Sequence, residues 1–507
     1  MGKLSQIKTV KLPVLIIALL SFILSGCAAN NRNMSDVAKQ LRHNLPVETA
    51  VTKLEAMKVE SQSVAQYALN LGYLQLVNGD YQNALVNFEK AKQTMASLQA
   101  ISISENLGSA TVNETFRSYS GWPTDQVLVH GMMAMAYLLN NDLNGARVEI
   151  LQADVRMNKL AESDKDKGQL AFVRYLAGVV YELNGEIDSA LISYRMALSI
   201  LESRTEAIPP SLQQSLIDLT AQIGLTQESK QYQKKFRLTV SKAYSNKQFI
   251  FAFDGVVTQM QQAKSTLWWD IDDVYLSVAL PKFPRNNYVL SKSYIEAQGH
   301  EEVTYEIESI ESRAREDLQA RMPAITAMAL ARAATKYQTV KELNKKDNVL
   351  GAFANVLTIV SEVADLRHWG LLPSSIQVAT TYATTGTLKL SNSYGQQTLG
   401  TPDNVSDKHE KAPAVAAIPA SSQSEEDDIT SVQQDSEQNS NEQLISRKLN
   451  TKSKAARKRA PSEAVLKERQ SAERIPKEDI AYLNYTSNKN AVILLSSLTN
   501  KVHIANF

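Results

Sequence analysis

Between Ala65 and Ile200 one arrangement of large and small side chains occurs three times, and it limits this chain more than any other feature of the sequence. The first copy, Ala65 to Leu98, carries Leu71-Gly72, Gly79-Asp80-Tyr81, Ala84, Phe88 and Ala91. The second has Tyr137, Asn141-Asp142-Leu143, Ala146, Ile150 and Ala153, with Ala134 as its small residue. The third, Phe172 to Ile200, has Ala177-Gly178, Tyr181, Asn184-Gly185-Glu186-Ile187, Ala190, Tyr194 and Ala197. Two antiparallel helices approach closely only where small side chains face each other, the role of Gly72, Ala84, Gly178 and Ala190, while Phe88, Tyr137, Tyr181 and Tyr194 fill the adjoining holes. Gly79 and Gly185, each followed by an acid, suit the end of one helix and the turn into the next. Each hairpin leaves an apolar face, so copies must stack to bury it.

These copies resemble tetratricopeptide repeats, whose period is roughly 34 residues. The resemblance implies a helical solenoid over residues 35–244, with a concave face that takes a protein partner at Gln66, Leu69, Tyr73, Phe172, Tyr175 and Glu182. About 60 residues separate Ala84 from Ala146, so something is inserted. The insert, Ile101 to Asp125, contains Phe116, Tyr119 and Gly121-Trp122-Pro123 and reads as a helix ending in an aromatic loop that caps the solenoid's apolar edge, or as a ligand loop. Val47 to Met57 reads as half of a capping hairpin and Pro210 to Phe236 as a further hairpin.

From Lys247 the hydrophobic period changes from helix to strand, predicting an α+β chain: a solenoid followed by a β-containing domain over 247–400. Phe249–Phe253, Val274–Leu280, Tyr288–Ala297, Val303–Ile307, Ser375–Tyr382 and Gly386–Asn392 are strand-like. Between them, residues 311–364 predict a helical pair, Glu311–Leu343 and Leu350–Ala364. The second helix is apolar but too short to span a bilayer, and it contains Glu362. Residues 401–489 are polar, with an acidic patch at Glu425–Asp428 and a basic one at Lys452–Arg459, and predict disorder with a transient helix near Ser462–Arg474. The last residues, 490–507, return to strand patterns at Ala491–Leu495 and Val502–Ala505, and are expected to pair with Thr387–Leu390.

The N-terminus has Lys3, Lys8 and Lys11 ahead of the apolar run Leu12–Leu24, then Leu24-Ser25-Gly26-Cys27. This is the plan of a secretory signal over residues 1–26, and Leu24-Ser25-Gly26-Cys27 resembles a lipobox, which implies an acyl chain on Cys27 and an anchor linker at 27–34. Ala28 is not the Asp that marks retention in the inner membrane, so the expected address is the outer membrane, facing the periplasm. Cys27 is the sole cysteine, which excludes an intrachain disulfide and a multi-cysteine metal site. Removing the three signal lysines takes the formal charge from +1 to −2, a balance that does not favour nucleic acid. With the lipobox, the stretches Asn78-Gly79-Asp80-Tyr81, Ala146-Arg147-Val148-Glu149, and Glu362-Val363-Ala364-Asp365-Leu366-Arg367-His368-Trp369 followed by Leu372-Pro373 resemble an uncharacterised family of Gram-negative lipoproteins with tetratricopeptide-like repeats. Members of that family are often encoded near small lipoproteins that resemble activators of penicillin-binding proteins, which implies a role in the cell envelope.

No phosphate loop, nucleophile elbow, zinc-protease helix or Cys-x-x-Cys is present, and the six histidines, at 43, 130, 300, 368, 409 and 503, include no pair at helical ligand spacing, so neither metal nor cofactor is expected. Asp270, Asp272 and Asp273 behind Trp268-Trp269 read as a polar turn, or as a cation or glycan site. Asp365, Arg367 and Trp369, at alternating positions, read as a structural corner with an Asp–Arg pair under an indole. The basic run Lys452–Arg459 reads as the solvated face of a linker, or as a contact for anionic lipid, glycan or nucleic acid. The expectation is a non-catalytic protein-interaction scaffold in the envelope. The competing reading is a cell-wall glycan-binding module, or a hydrolase or regulator of peptidoglycan synthesis, with its site at Trp268–Asp273.

Overall fold

The computed structural model describes residues 26–102, 118–241, 246–269, 274–285, 289–297, 300–346, 363–382, 385–391, 480–486, 489–499 and 501–507. The expected signal segment up to Ser25, Phe116, the acids Asp270, Asp272 and Asp273, the expected helix from Leu350 up to Glu362, and the polar stretch up to Asp479 lie outside them.

Helices α1 (Gly26–Arg42), α2 (Val47–Glu55), α3 (Val64–Asn78), α4 (Tyr81–Ser102), α5 (Pro123–Leu139), α6 (Leu143–Ala161), α7 (Ala171–Leu183), α8 (Ile187–Ser203), α9 (Pro210–Gln222) and α10 (Thr226–Phe236) come first in the chain. The pairs α3/α4, α5/α6, α7/α8 and α9/α10 are antiparallel hairpins that stack in sequence order, a tetratricopeptide-like solenoid. The small residues do what close packing requires of them. A Cβ on Gly72 would lie 2.8 Å from the Phe88 ring, and one on Gly178 would lie 2.4 Å from the Tyr194 ring. Gly79 closes α3 at φ +92°, a left-handed conformation that a side chain disfavours. The anchor linker expected at 27–34 is instead the start of α1. Met34, Val37, Ala38 and Leu41 are buried at helical spacing and carry the helix upstream.

The β region holds β1 (Gln248–Asp254), β2 (Gln261–Trp269), β3 (Val274–Lys282), β4 (Tyr294–Ala297), β5 (His300–Val303) and β6 (Tyr305–Ser309), then the long helix α11 (Ile310–Lys346). After it come β7 (Ser375–Thr381), β8 (Thr385–Ser391), β9 (Ile480–Thr486), β10 (Ala491–Ser496) and β11 (Val502–Asn506). They form a five-stranded sheet in the order β11-β10-β1-β7-β6, a ribbon of β2 and β3, and a four-stranded sheet β5-β4-β8-β9. Strand β2 was not foreseen, because Gln261 to Ser265 contains no β-branched or aromatic residue. Of the strand expected at Tyr288–Ala297, the described residues 289–293 are not in a strand and Tyr294–Ala297 are. That at Val303–Ile307 breaks at Thr304, whose N–H donates to Ser293 O and whose hydroxyl donates to Gln377 Oε1.

The expected pairing of the final strands with Thr387–Leu390 does not occur. β10 runs parallel to β1, with Ile250 opposite Ile493, while β8 pairs with β9, with Leu388 opposite Leu483. β9 lies in the segment expected to be disordered through 489, where Ile480-Ala481-Tyr482-Leu483-Asn484-Tyr485 supplies strand-forming residues among polar neighbours. β1 is buried along its whole length and needs a strand on either side, which β7 and β10 provide. One face of this sheet, with Phe249, Phe251, Phe253, Ile376, Val378, Val492 and Leu494, shares a single core with the solenoid. The other, with Ile250, Ala252, Ala379, Ile493 and Leu495, packs with Ile295 of β4.

Candidate partner-binding face

The six residues expected to line a partner groove do share one side of the solenoid: Gln66, Leu69 and Tyr73 on α3, and Phe172, Tyr175 and Glu182 on α7. That side is filled by the chain itself. Tyr73 stacks on Phe253 with ring centroids 6.2 Å apart, Phe172 meets Phe253 at 6.3 Å, and Tyr175 meets Phe251 at 6.0 Å. Leu69 is fully buried. Gln66 Nε2 donates to His368 O at 3.1 Å, and Leu371 N–H donates to Asn70 Oδ1 at 2.8 Å. Glu182 accepts from Lys247 Nζ at 2.9 Å and from the Tyr194 hydroxyl at 2.9 Å. The expected open groove is therefore corrected to an internal interface: a strand as apolar as Phe249–Phe253 is stable only when covered, and the inner side of the solenoid covers it.

Buried charges fix the register between the two layers. Glu308, with no exposed side-chain surface, accepts from Phe172 N–H at 3.3 Å and from Arg204 at 2.8 Å, and it lies 3.4 Å from Arg313. At the other end, His503 Nε2 donates to Val77 O at 3.0 Å, so Nδ1 is left to accept from the Tyr81 hydroxyl at 2.7 Å. Burial holds His503 below the usual imidazole range, in keeping with that neutral tautomer. Within the solenoid, His130 Nδ1 lies 2.7 Å from Glu149, which also accepts from Lys92 at 3.0 Å. Burial alone would raise the Glu149 carboxyl, but these two partners outweigh it and hold it below the usual range. Such a network joins adjacent hairpins.

The corner at Asp365, Arg367 and Trp369 forms in part as expected. Arg367 grips Asp365 with two bonds, of 2.9 and 2.7 Å, and donates a third, of 2.8 Å, to Gln62 O on the solenoid. The indole does not cover this pair: Trp369 packs on Phe88 at 5.9 Å, because the chain here is irregular and alternation does not hold. Between them, His368 lies against Trp122 and Phe283. Trp122 and Tyr119, from the described end of the insert, are buried beside α5. Asp125 accepts from Trp122 N–H at 3.0 Å and from the Tyr119 hydroxyl, which caps that helix. Burial pushes Asp125 up to about 7.

Six of the exposed large apolar side chains are on the outer helices α4, α6 and α8. Val86, Val148 and Ile192 each stand two residues after the small residue of their hairpin, Ala84, Ala146 and Ala190, so they form a row across three repeats. Leu151, Val155 and Met196 widen it, and all six are at least 40% exposed. Beside it are the ion pairs Arg147 with Glu186 and Arg195 with Glu228. The shared offset from the small residue is the sequence signal for this row. Trp268, expected to border a ligand site, is 46% exposed on β2. Cys27 stands in the first turn of α1. Among the described residues no three metal-ligating side chains gather, and no helix is long and apolar enough to cross a membrane.

No protein-family model matches this chain, and no curated protein matches it. Solved structures similar to it include the apo form of RapI, at 12% identity and a TM-score of 0.30, over 38% of this chain and 48% of that one. The chain thus spans about half the length of RapI. MamA 41-end from Desulfovibrio magneticus RS-1 matches at 14% identity and 0.28, over 42% and 93%. Aspartyl phosphate phosphatase F from Bacillus subtilis matches at 14% and 0.26, over 37% and 43%. Likeness at this level carries no argument about function, and the repeat architecture rests on the hairpins themselves.

Proposed function

We propose that this chain is a non-catalytic interaction protein of the cell envelope, held on the periplasmic face of the outer membrane by a lipid on Cys27, and that its protein partner docks on the outer helices of the repeats. The observation that supports this docking mode is the row Val86–Val148–Ile192 with Leu151, Val155 and Met196, left exposed while the concave side is consumed by β1. A lipid surface would ask for an excess of Lys and Arg around the row. Here two flanking arginines, Arg147 and Arg195, are neutralised by Glu186 and Glu228, which fits an apolar, uncharged segment of a protein.

A photo-crosslinking residue at Leu151 or Ile192 of the full-length protein in living cells should capture one and the same protein, and the same probe at exposed Thr339 on α11 should not. Adducts only between copies of this chain, only with lipid, or none at all would reject the docking mode. The anchor is tested separately. Cys27→Ser should leave an unprocessed precursor without palmitate, since an alcohol is a far weaker nucleophile than a thiolate. Wild-type labelling of that variant would reject the anchor.

A further inference from the structure

The ribbon of β2 and β3 has two unlike faces. Leu276, Val278 and Leu280 are buried, and β3 packs along α11. The opposite face carries Trp268 across from Tyr275 and Thr266 across from Ser277, with Lys264 beyond them, all exposed. Tyr275 is 71% exposed, and its ring meets the Trp268 indole edge to face at 4.8 Å. From Trp268 to Lys264 this face is roughly 13 Å long at the usual rise per strand residue. It ends where Gln262 Oε1 accepts from Ala364 N–H at 3.0 Å, so the crossing chain at 364 closes it off.

We propose that this face binds a neutral, β-linked glycan chain, with a sugar ring stacked on the Trp268–Tyr275 pair and its neighbours hydrogen-bonded by Thr266, Ser277 and Lys264. The inference is independent of the protein partner proposed for the outer helices. An aromatic face carries partial negative charge and attracts the slightly positive C–H bonds of a pyranose ring, as it attracts other positively polarised groups. Hydroxyl and ammonium groups at two-residue steps on the same face match the hydroxyls and acetamides that follow along a sugar chain. A membrane fits this face less well, because one lysine beside two hydroxyls lacks the basic cluster that anionic lipid calls for. A peptide added as a strand would take an edge of the ribbon, not its face. Fixed by the packing of its inner side on α11, the ribbon presents these groups without ordering a loop.

The test uses the full mature chain labelled with 5-fluorotryptophan and titrated with chitohexaose, with cellohexaose, and with vesicles of phosphatidylethanolamine and phosphatidylglycerol. Cosedimentation with purified peptidoglycan sacculi supplies a polymer. The Trp268 fluorine resonance should shift with a hexaose and not with vesicles. Trp268→Ala should weaken binding at least tenfold and Tyr275→Ala several-fold, while Thr339→Ala, at an exposed position of α11, leaves it unchanged. Trp268→Phe, which keeps a ring at the site, identifies the Trp268 resonance among the four tryptophans, so the assay decides the matter even if the alanine proteins are unstable. No shift with either hexaose together with no cosedimentation, a shift with vesicles alone, or undiminished binding by folded Trp268→Ala would overturn the proposal.

Discussion

Phe172, on the inner side of the third repeat hairpin, meets Phe251, the middle residue of β1, edge to face: their ring centroids lie 6.1 Å apart and their planes cross at 81°. Both rings are fully buried, and through them the helices and the sheet share one core. Phe251→Ala should therefore cost about 3–5 kcal/mol, the usual penalty for emptying a large buried aromatic site. Helix and sheet should be lost together. Urea unfolding followed by far-ultraviolet circular dichroism and by tryptophan fluorescence should give one coincident midpoint, shifted down in the variant. Separate midpoints would mean that the solenoid stands without the sheet.

Ala190 has no exposed surface and lies in the α7/α8 hairpin, where Gly178 meets Tyr194. Adding three carbons there should force the pair apart, so Ala190→Leu should cost about 1–3 kcal/mol. Asp188→Leu, at an exposed position of the same turn, should stay within about 0.5 kcal/mol of the parent. Thermal melts of the two variants side by side test the register of the repeat; equal melting temperatures would displace Ala190 from the crossing.

The helical hairpins were legible because the same spacing of small and large side chains is written three times, and local periodicity needs no knowledge of distant residues. The groove residues were legible as a set, since Gln66, Tyr73, Phe172 and Tyr175 do lie on one side. Their occupant was not. It is a strand some 75 residues beyond Tyr175, and pairing across such a distance leaves no periodic trace in either segment. The same reason hid the parallel pairing of β1 with β10, which are separated by the whole polar stretch. Arg367 and Asp365 were foreseen as a pair because they are two residues apart. Trp369 was misplaced because its partner, Phe88, is remote.

Asp125 gives the fold a particular dependence on pH. Burial, offset in part by its bonds to Tyr119 and Trp122, carries its carboxyl from 3.8 to about 7, and nearby Asp317 adds to the rise. Between those two values the folded chain holds a proton that the unfolded chain has released. The contribution of this residue to stability is therefore full at low pH, falls as pH rises through the window, and levels off above about 7. Both bonds to Asp125 go to one oxygen, so an amide can accept them. Asp125→Asn should flatten the fall and be the more stable protein at pH 8. Urea midpoints at pH 4.5, 6, 7.5 and 8.5 would show it, and parallel curves for the two proteins would mean that Asp125 stays ionised throughout.

The last strands test how the chain is closed. β10 supplies the parallel neighbour of β1 and β9 the neighbour of β8, yet both follow the long polar stretch. The entropy of closing a loop grows only by about 0.6 kcal/mol per doubling of its length, so the stretch itself should matter little to stability. Replacing residues 401–476 with a short Gly/Ser linker, leaving β9 intact, should keep the melting temperature within a few degrees of the parent. Ending the chain after Gly400 removes β9, β10 and β11 together, which uncovers one edge of β1 and strips Val492 and Leu494 from the core shared with the solenoid. An uncovered edge beside Phe249, Phe251 and Phe253 is a template for aggregation. The truncated protein should accumulate in the insoluble fraction while the linker variant stays soluble. A soluble truncation with the parent melting temperature would show that β1 needs no neighbour on that side, and the closure described here would be wrong.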